Sequence, residues 1–347
     1  MCTFAALLVQ TGFFRLIFST NCQLINLRSL KQIKYEIPTN NPVIKMGNTT
    51  SLSPKHLLLL LSVVILWGVN FVAVFIGLKT FPPFLLSALR FGLSALPWVF
   101  FLPKPKAPLK LIIYYGVLNF AVQFGLIFTG IHLGVSPGLA SLVLQIQVFF
   151  SIGLAFLFFH ERPGVFKIAG SLISFVGIGI VAFHAEGGST FIGLILMLLA
   201  ALSWSAGNIF TKKIHAESPL ALVVWGNLFA FPVMIAVSLF FEGPAMIMNS
   251  LNTMSWPAVG AVLYIVYMST HVGYGAWSFL VKSYSTSAVV PFTLLVPVVG
   301  FVSSAIFLGE PFPVWKFVAS LFILGGLIFG LLENQMRGLI RGLQTRI

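Results

Sequence analysis

From Leu57 onward the chain alternates long apolar runs with short polar breaks, and no run shows strict every-other-residue alternation. A helix needs about 20 mainly apolar residues to cross about 30 Å of hydrocarbon. Ten segments qualify: 57–78, 83–102, 111–131, 137–159, 164–184, 191–211, 219–241, 257–279, 287–308 and 312–333. A membrane barrel would need alternating lipid-facing and lumen-facing residues. Continuous apolar runs can satisfy their backbone internally only as helices. Ser136 and Pro137 read as the N-cap and first residue of the fourth helix. Pro97, Pro232, Pro291 and Pro297 fall inside runs and predict kinks.

Shifting the chain by 149 residues places Phe158, Glu161, Lys167, Ser171, Leu172 and Gly177 on Phe307, Glu310, Lys316, Ser320, Leu321 and Gly326. Ten helices in two related halves put five in each, and an odd number inverts the second half. The expected fold is therefore an all-α polytopic membrane protein with ten transmembrane helices in two inverted five-helix repeats, an arrangement many secondary transporters share. The expected organisation is an N-terminal extension and leader over 1–54, repeats over 55–184 and 191–333, and a basic tail over 334–347. Met46 opens a short polar leader, MGNTTSLSPKH, and is the expected start of translation.

Charge orients the helices. With the N-terminus in the cytoplasm, twelve Lys and Arg flank the spans inside and only Lys79 and Lys316 flank them outside, so the positive-inside rule puts both termini in the cytoplasm. The chain holds 20 Lys plus Arg against 7 acidic residues, all of them Glu. These cations sit singly or in small groups between apolar blocks. They form no basic stripe, and nucleic acid is not an expected partner. Cys2 and Cys22 both precede the first run, so the body holds no disulfide or thiolate metal site.

Polar side chains within membrane helices are costly and mark cavities or helix contacts. Trp67 and Asn70 share one face of the first helix, as do Trp204 and Asn208 on the sixth. Tyr115, Asn119 and Gln123 form a stripe on the third helix, and Tyr267, His271 and Tyr274 another on the eighth. Gln145 and Gln147 point to opposite sides of the fourth. Interhelical hydrogen bonding accounts equally well for the amides. His271 reads first as a satisfied interior histidine, although its titration range suits a proton carrier. Trp98, Trp256 and Trp315 read as interfacial anchors, and Glu161 and Glu310 as partners of helix ends. HERPG at His160 lacks the second histidine of a zinc-protease motif, and no phosphate-binding loop or nucleophile elbow occurs, so neither a catalytic site nor a cofactor is expected.

WGVNF at Trp67, LRFG at Leu89, GLASLVLQIQVFF from Gly138, HER at His160, SWSAGNIFTKKI from Ser203, VGYG at Val272 and LLVPVVG at Leu294 together resemble the EamA family of the drug/metabolite transporter superfamily. The resemblance spans residues 55 to 333, and is nearest to members exporting O-acetylserine and cysteine. It implies a bacterial inner-membrane location and export of small metabolites by alternating access. A homodimer is compatible with it. The proline of Val135–Gly138 falls one residue later than the family pattern.

No acidic residue lies near mid-membrane, which argues against lipophilic cations as substrates. Arg90 is the one permanent ion within a run, and its guanidinium suits a carboxylate. The expected path, for an amino acid or a derivative of one, comprises Trp67, Asn70, Arg90, Gln123, Gln145, Trp204, Asn208, His271 and Tyr274. Two readings of Arg90 stay open: a carboxylate contact, or a side chain snorkelling to the lipid interface. Proton-linked export and facilitated efflux are likewise both open. A lipid flippase or membrane scaffold is the competing function.

Overall fold

The computed structural model describes residues 53–159, 163–184, 187–214, 216, 218–284 and 289–333. The start at Met46, Glu161 and the basic tail lie outside those residues. Among the described residues the chain forms α1 (Pro54–Leu78), α2 (Pro83–Ala95), α3 (Leu109–His132), α4 (Pro137–Phe158), α5 (Val165–Phe183), α6 (Gly187–Ile214), α7 (Pro219–Phe241), α8 (Gly243–Asn252), α9 (Trp256–Val281), α10 (Phe292–Leu308) and α11 (Val314–Leu331).

Eight of these are long and apolar enough to span a bilayer, counting α2 with its 3-10 turn Trp98–Phe100. α9 supplies a ninth span, entered from the short α8 through a 103° bend. α10 is shorter than its apolar run predicts. It opens in a 3-10 stretch, Val290–Leu295, and turns α-helical at Val296; Pro291 and Pro297, in the first turn of each part, bring no N–H. The described parts of the ten expected runs are thus helical, the ninth opening in 3-10 form.

Packing follows the repeat. α2 lies on α7 and α5 on α11, each helix against its own counterpart. α1 packs on α10 and α9, while α6 packs on α4 and α3, two sets that exchange when the halves are swapped. At the α5–α11 contact the backbones nearly touch, because a Cβ on Gly170 would meet the Gly326 carbonyl and a Cβ on Gly326 the Gly170 carbonyl. Ser174 Oγ donates to Ile323 O across this contact at 2.8 Å, between positions that are 149 residues apart.

The three carboxylates among the described residues all cap helices of the other half. Glu242 accepts from Phe84 N at 2.6 Å and Leu85 N at 3.0 Å, the first turn of α2. Glu310 accepts from Gly138 N of α4, and Glu333 from Lys167 N of α5. Unpaired N–H groups and the helix dipole favour an anion at each of these ends. These three carboxylates therefore join the repeats instead of lining the membrane interior.

Candidate functional site

α3 and α9 each contain a π-helical segment, Val117–Val122 and Tyr264–Gly273. The 149-residue shift carries 117–122 onto 266–271, so the departures are equivalent. Wider turns release carbonyls from the regular ladder, and neighbouring helices supply the donors. Ser203 Oγ of α6 donates to Leu118 O at 2.8 Å, and Trp67 Nε1 of α1 donates to Ser269 O at 3.2 Å. π segments recur at functional sites, and here both border one buried polar cluster.

Arg90 stands at the centre of that cluster. It is 3% exposed, its guanidinium lies 3.9 Å from the centre of the Phe124 ring, and Nη2 donates to Thr270 Oγ1 at 3.4 Å. Nη1 is buried without a hydrogen-bond partner. The interfacial reading of Arg90 fails, because α3 and α9 enclose the side chain before it can reach lipid. Aligning Pro83 with Pro219 at the starts of α2 and α7 puts Gly226 opposite Arg90, and a Cβ there would meet the rings of Tyr115 and Phe120 at 2.8 and 2.7 Å, which leaves no room for a matching cation.

Tyr274 lies within electrostatic range of both Arg90 and Tyr115. Trp67 closes the cluster, its ring 5.3 Å from those of Tyr274 and Trp277. Asn70 Oδ1 and Asn119 Oδ1 are buried without partners. His271 points both ring nitrogens at carbonyls, Nδ1 at Val266 O (2.8 Å) and Nε2 at Ser94 O (3.0 Å). Trp98, which reads as an interfacial anchor, instead turns inward and lies on the His271 ring at 5.2 Å.

The structure thus brings together Trp67, Arg90, His271 and Tyr274, with Asn70 and Gln123 buried on the flanking helices. Gln145 serves a different contact, donating to Thr293 O at the start of α10. Trp204 and Asn208 are half-buried on α6, beside Gly207, which faces Asn119. Sequence reasoning missed Ser94, Trp98, Phe124 and Thr270. Ser94 carried a usable signal, one helical turn after Arg90; Phe124 carried none among 36 phenylalanines.

Among the described residues the helical repeat thus encloses a buried cation with an unused donor. Residues 54–183 and 191–332 each match the EamA-like transporter family. The chain belongs to that family. Among relatives of this EamA protein, probable amino-acid metabolite efflux pumps of Escherichia coli (strain K12) and Salmonella typhimurium (strain LT2) are each 39% identical. The first match covers 81% of this chain and 97% of the relative, the second 82% and 98%. An uncharacterized transporter of Bacillus subtilis (strain 168) is 28% identical over 73% of this chain and 84% of its own. A crystal structure 16% identical to the EamA chain matches its fold with a TM-score of 0.53, over 80% of this chain and 96% of the other. The chain is accordingly a multi-pass membrane transporter.

Proposed function

We infer that this EamA protein exports small amino-acid metabolites, such as cysteine and O-acetylserine, from the bacterial cytoplasm across the inner membrane by alternating access. The observation that carries this reading is Arg90 Nη1, a charged donor buried without a partner. Leaving such a group unmatched is costly, and a substrate carboxylate is the natural complement. The two efflux-pump relatives support the substrate class, and the inverted repeats support alternating access. The Lys and Arg asymmetry supports cytoplasmic termini.

The test is extracellular accumulation of cysteine and O-acetylserine in overexpressing cells at matched membrane levels. A hydrogen bond to a charged group contributes about 1.5–3 kcal/mol, so Arg90→Ala should lower export by about 10- to 150-fold. Arg90→Lys, which keeps the charge but loses the planar fork, should fall between. Wild-type accumulation from Arg90→Ala would exclude Arg90 as the carboxylate contact.

A further inference from the structure

Two buried polar atoms on one face of α2 lack partners: Arg90 Nη1 and, one turn later, Ser94 Oγ. Residues four apart on a helix are neighbours, about 5–6 Å between Cβ atoms. One is a permanent cationic donor; the other is an oxygen able to accept. Together they complement a zwitterion, with its carboxylate on the guanidinium and its ammonium on Ser94.

The carbonyl of Ser94 is contested. α2 ends at Ala95 and Pro97 brings no N–H, so carbonyls of the last turn lack helical donors. Ser94 O is instead 3.0 Å from His271 Nε2, while Nδ1 is 2.8 Å from Val266 O. Both partners are pure acceptors. A neutral imidazole has one N–H and would set a lone pair against one of these oxygens, whereas imidazolium donates to both. Trp98 and Tyr267 lie across its two ring contacts at 5.2 and 5.7 Å, inclined by 38° and 27°, and aromatic faces favour a cation.

The surrounding groups leave this balance open to a substrate. α2 presents Arg90; α9 presents Tyr267 against the ring and Tyr274 beside Arg90, while its Tyr264 donates to Leu66 O of α1; α3 presents Tyr115 near Tyr274. α1 contributes only Trp67 and Asn70 among polar groups here. Glu242, where α7 ends, caps the far end of α2, about 15 Å along the helix from Ser94 at 1.5 Å per residue.

Building on the zwitterion-export reading, we propose that His271 is a proton site that exchanges with the substrate's ammonium group at Ser94, which couples export to proton entry. Protonated His271 occupies the Ser94 carbonyl. After its Nε2 proton leaves to water, the imidazole keeps a single N–H on Val266 O, and both Ser94 oxygens are free for the ammonium. Imidazolium and ammonium compete for one acceptor and repel each other beside Arg90, so each lowers the affinity of the other, reciprocally. No bond within the substrate changes.

The test uses the full chain in liposomes loaded with labelled O-acetylserine and the pH dye pyranine, in a medium one pH unit more acid. For one proton per substrate, the gradient should raise the final outside-to-inside ratio of label about tenfold, and label exit should acidify the lumen. In His271→Phe, and in His271→Gln should the first fail to fold, that ratio should return to its value without a gradient. Substrate-dependent acidification should vanish in both. Ser94→Ala should raise the internal concentration for half-maximal exit severalfold. Wild-type exit without lumen acidification, or a tenfold response retained in His271→Phe, would overturn the proton site while leaving export intact. No exit of label from wild-type liposomes would instead overturn the export reading.

Discussion

Removing the Glu242 carboxylate should unfasten the two halves of the protein at the start of α2. The residue before that helix, Pro82, offers no capping side chain, so the carboxylate of another helix takes the role. Glu242 accepts from Phe84 N at 2.6 Å and Leu85 N at 3.0 Å, and from the Ser238 hydroxyl at 2.6 Å. An N-cap is worth about 0.5–2 kcal/mol, and each hydrogen bond to a charged group about 1.5–3 kcal/mol. Water recovers part of this near the end of a helix, which leaves a net loss of about 2–4 kcal/mol for Glu242→Ala. For a protein above 150 residues each kcal/mol moves Tm by about 2–4 °C, so the shift should be about 4–16 °C downward. Glu242→Gln keeps one acceptor oxygen and should lose about half as much. The assay is thermal unfolding of the purified protein in detergent, followed by tryptophan fluorescence. Export should fall in parallel, since α2 carries Arg90 and Ser94. If Glu242→Ala melted with the wild type, carboxylate capping would not be what joins the repeats here.

Other contacts give sharp contrasts. Gly326→Leu should destabilise by about 1–3 kcal/mol through overpacking against Gly170 and Ser174. Gly325→Leu, one residue earlier with open space around it, should melt like the wild type in the same assay. Lys316→Met leaves Glu310 without its 2.8 Å partner in a nearly buried site, at a cost of about 3–5 kcal/mol. The double variant with Glu310→Gln should recover most of that, as a double-mutant cycle on unfolding midpoints would record. Trp67→Phe keeps a ring against Tyr274 but loses the bond to Ser269 O; about 0.6–1.7 kcal/mol predicts a loss of export of about threefold to twentyfold in the liposome assay.

Much of the architecture was legible before any coordinates. Apolar runs of about 20 residues leave a membrane helix as the one satisfactory backbone state, so their number and succession are set locally. The matches at a 149-residue shift announced the repeat, and in the second half the matched Glu310 and Lys316 pair with each other at the start of α11. Arg90 stood out because a guanidinium in an apolar run is expensive wherever it goes.

What it does there was a tertiary matter. Snorkelling and burial are both open to a lone helix, and only the placement of Phe124 and Thr270 from α3 and α9 around the guanidinium decides for burial. The π segments were equally illegible, since they answer to donors such as Ser203 and Trp67 on other helices and leave no mark on hydrophobic period. Trp98 showed the same limit: its position at a span end suits an anchor, but the helix break at Pro97 turns it onto His271. Sequence by itself determined what must enter the membrane and in how many pieces, because that depends on chain-local solvation. Which polar groups meet inside depended on contacts between residues as far apart as Arg90 and Thr270, and only the packed structure brings those together.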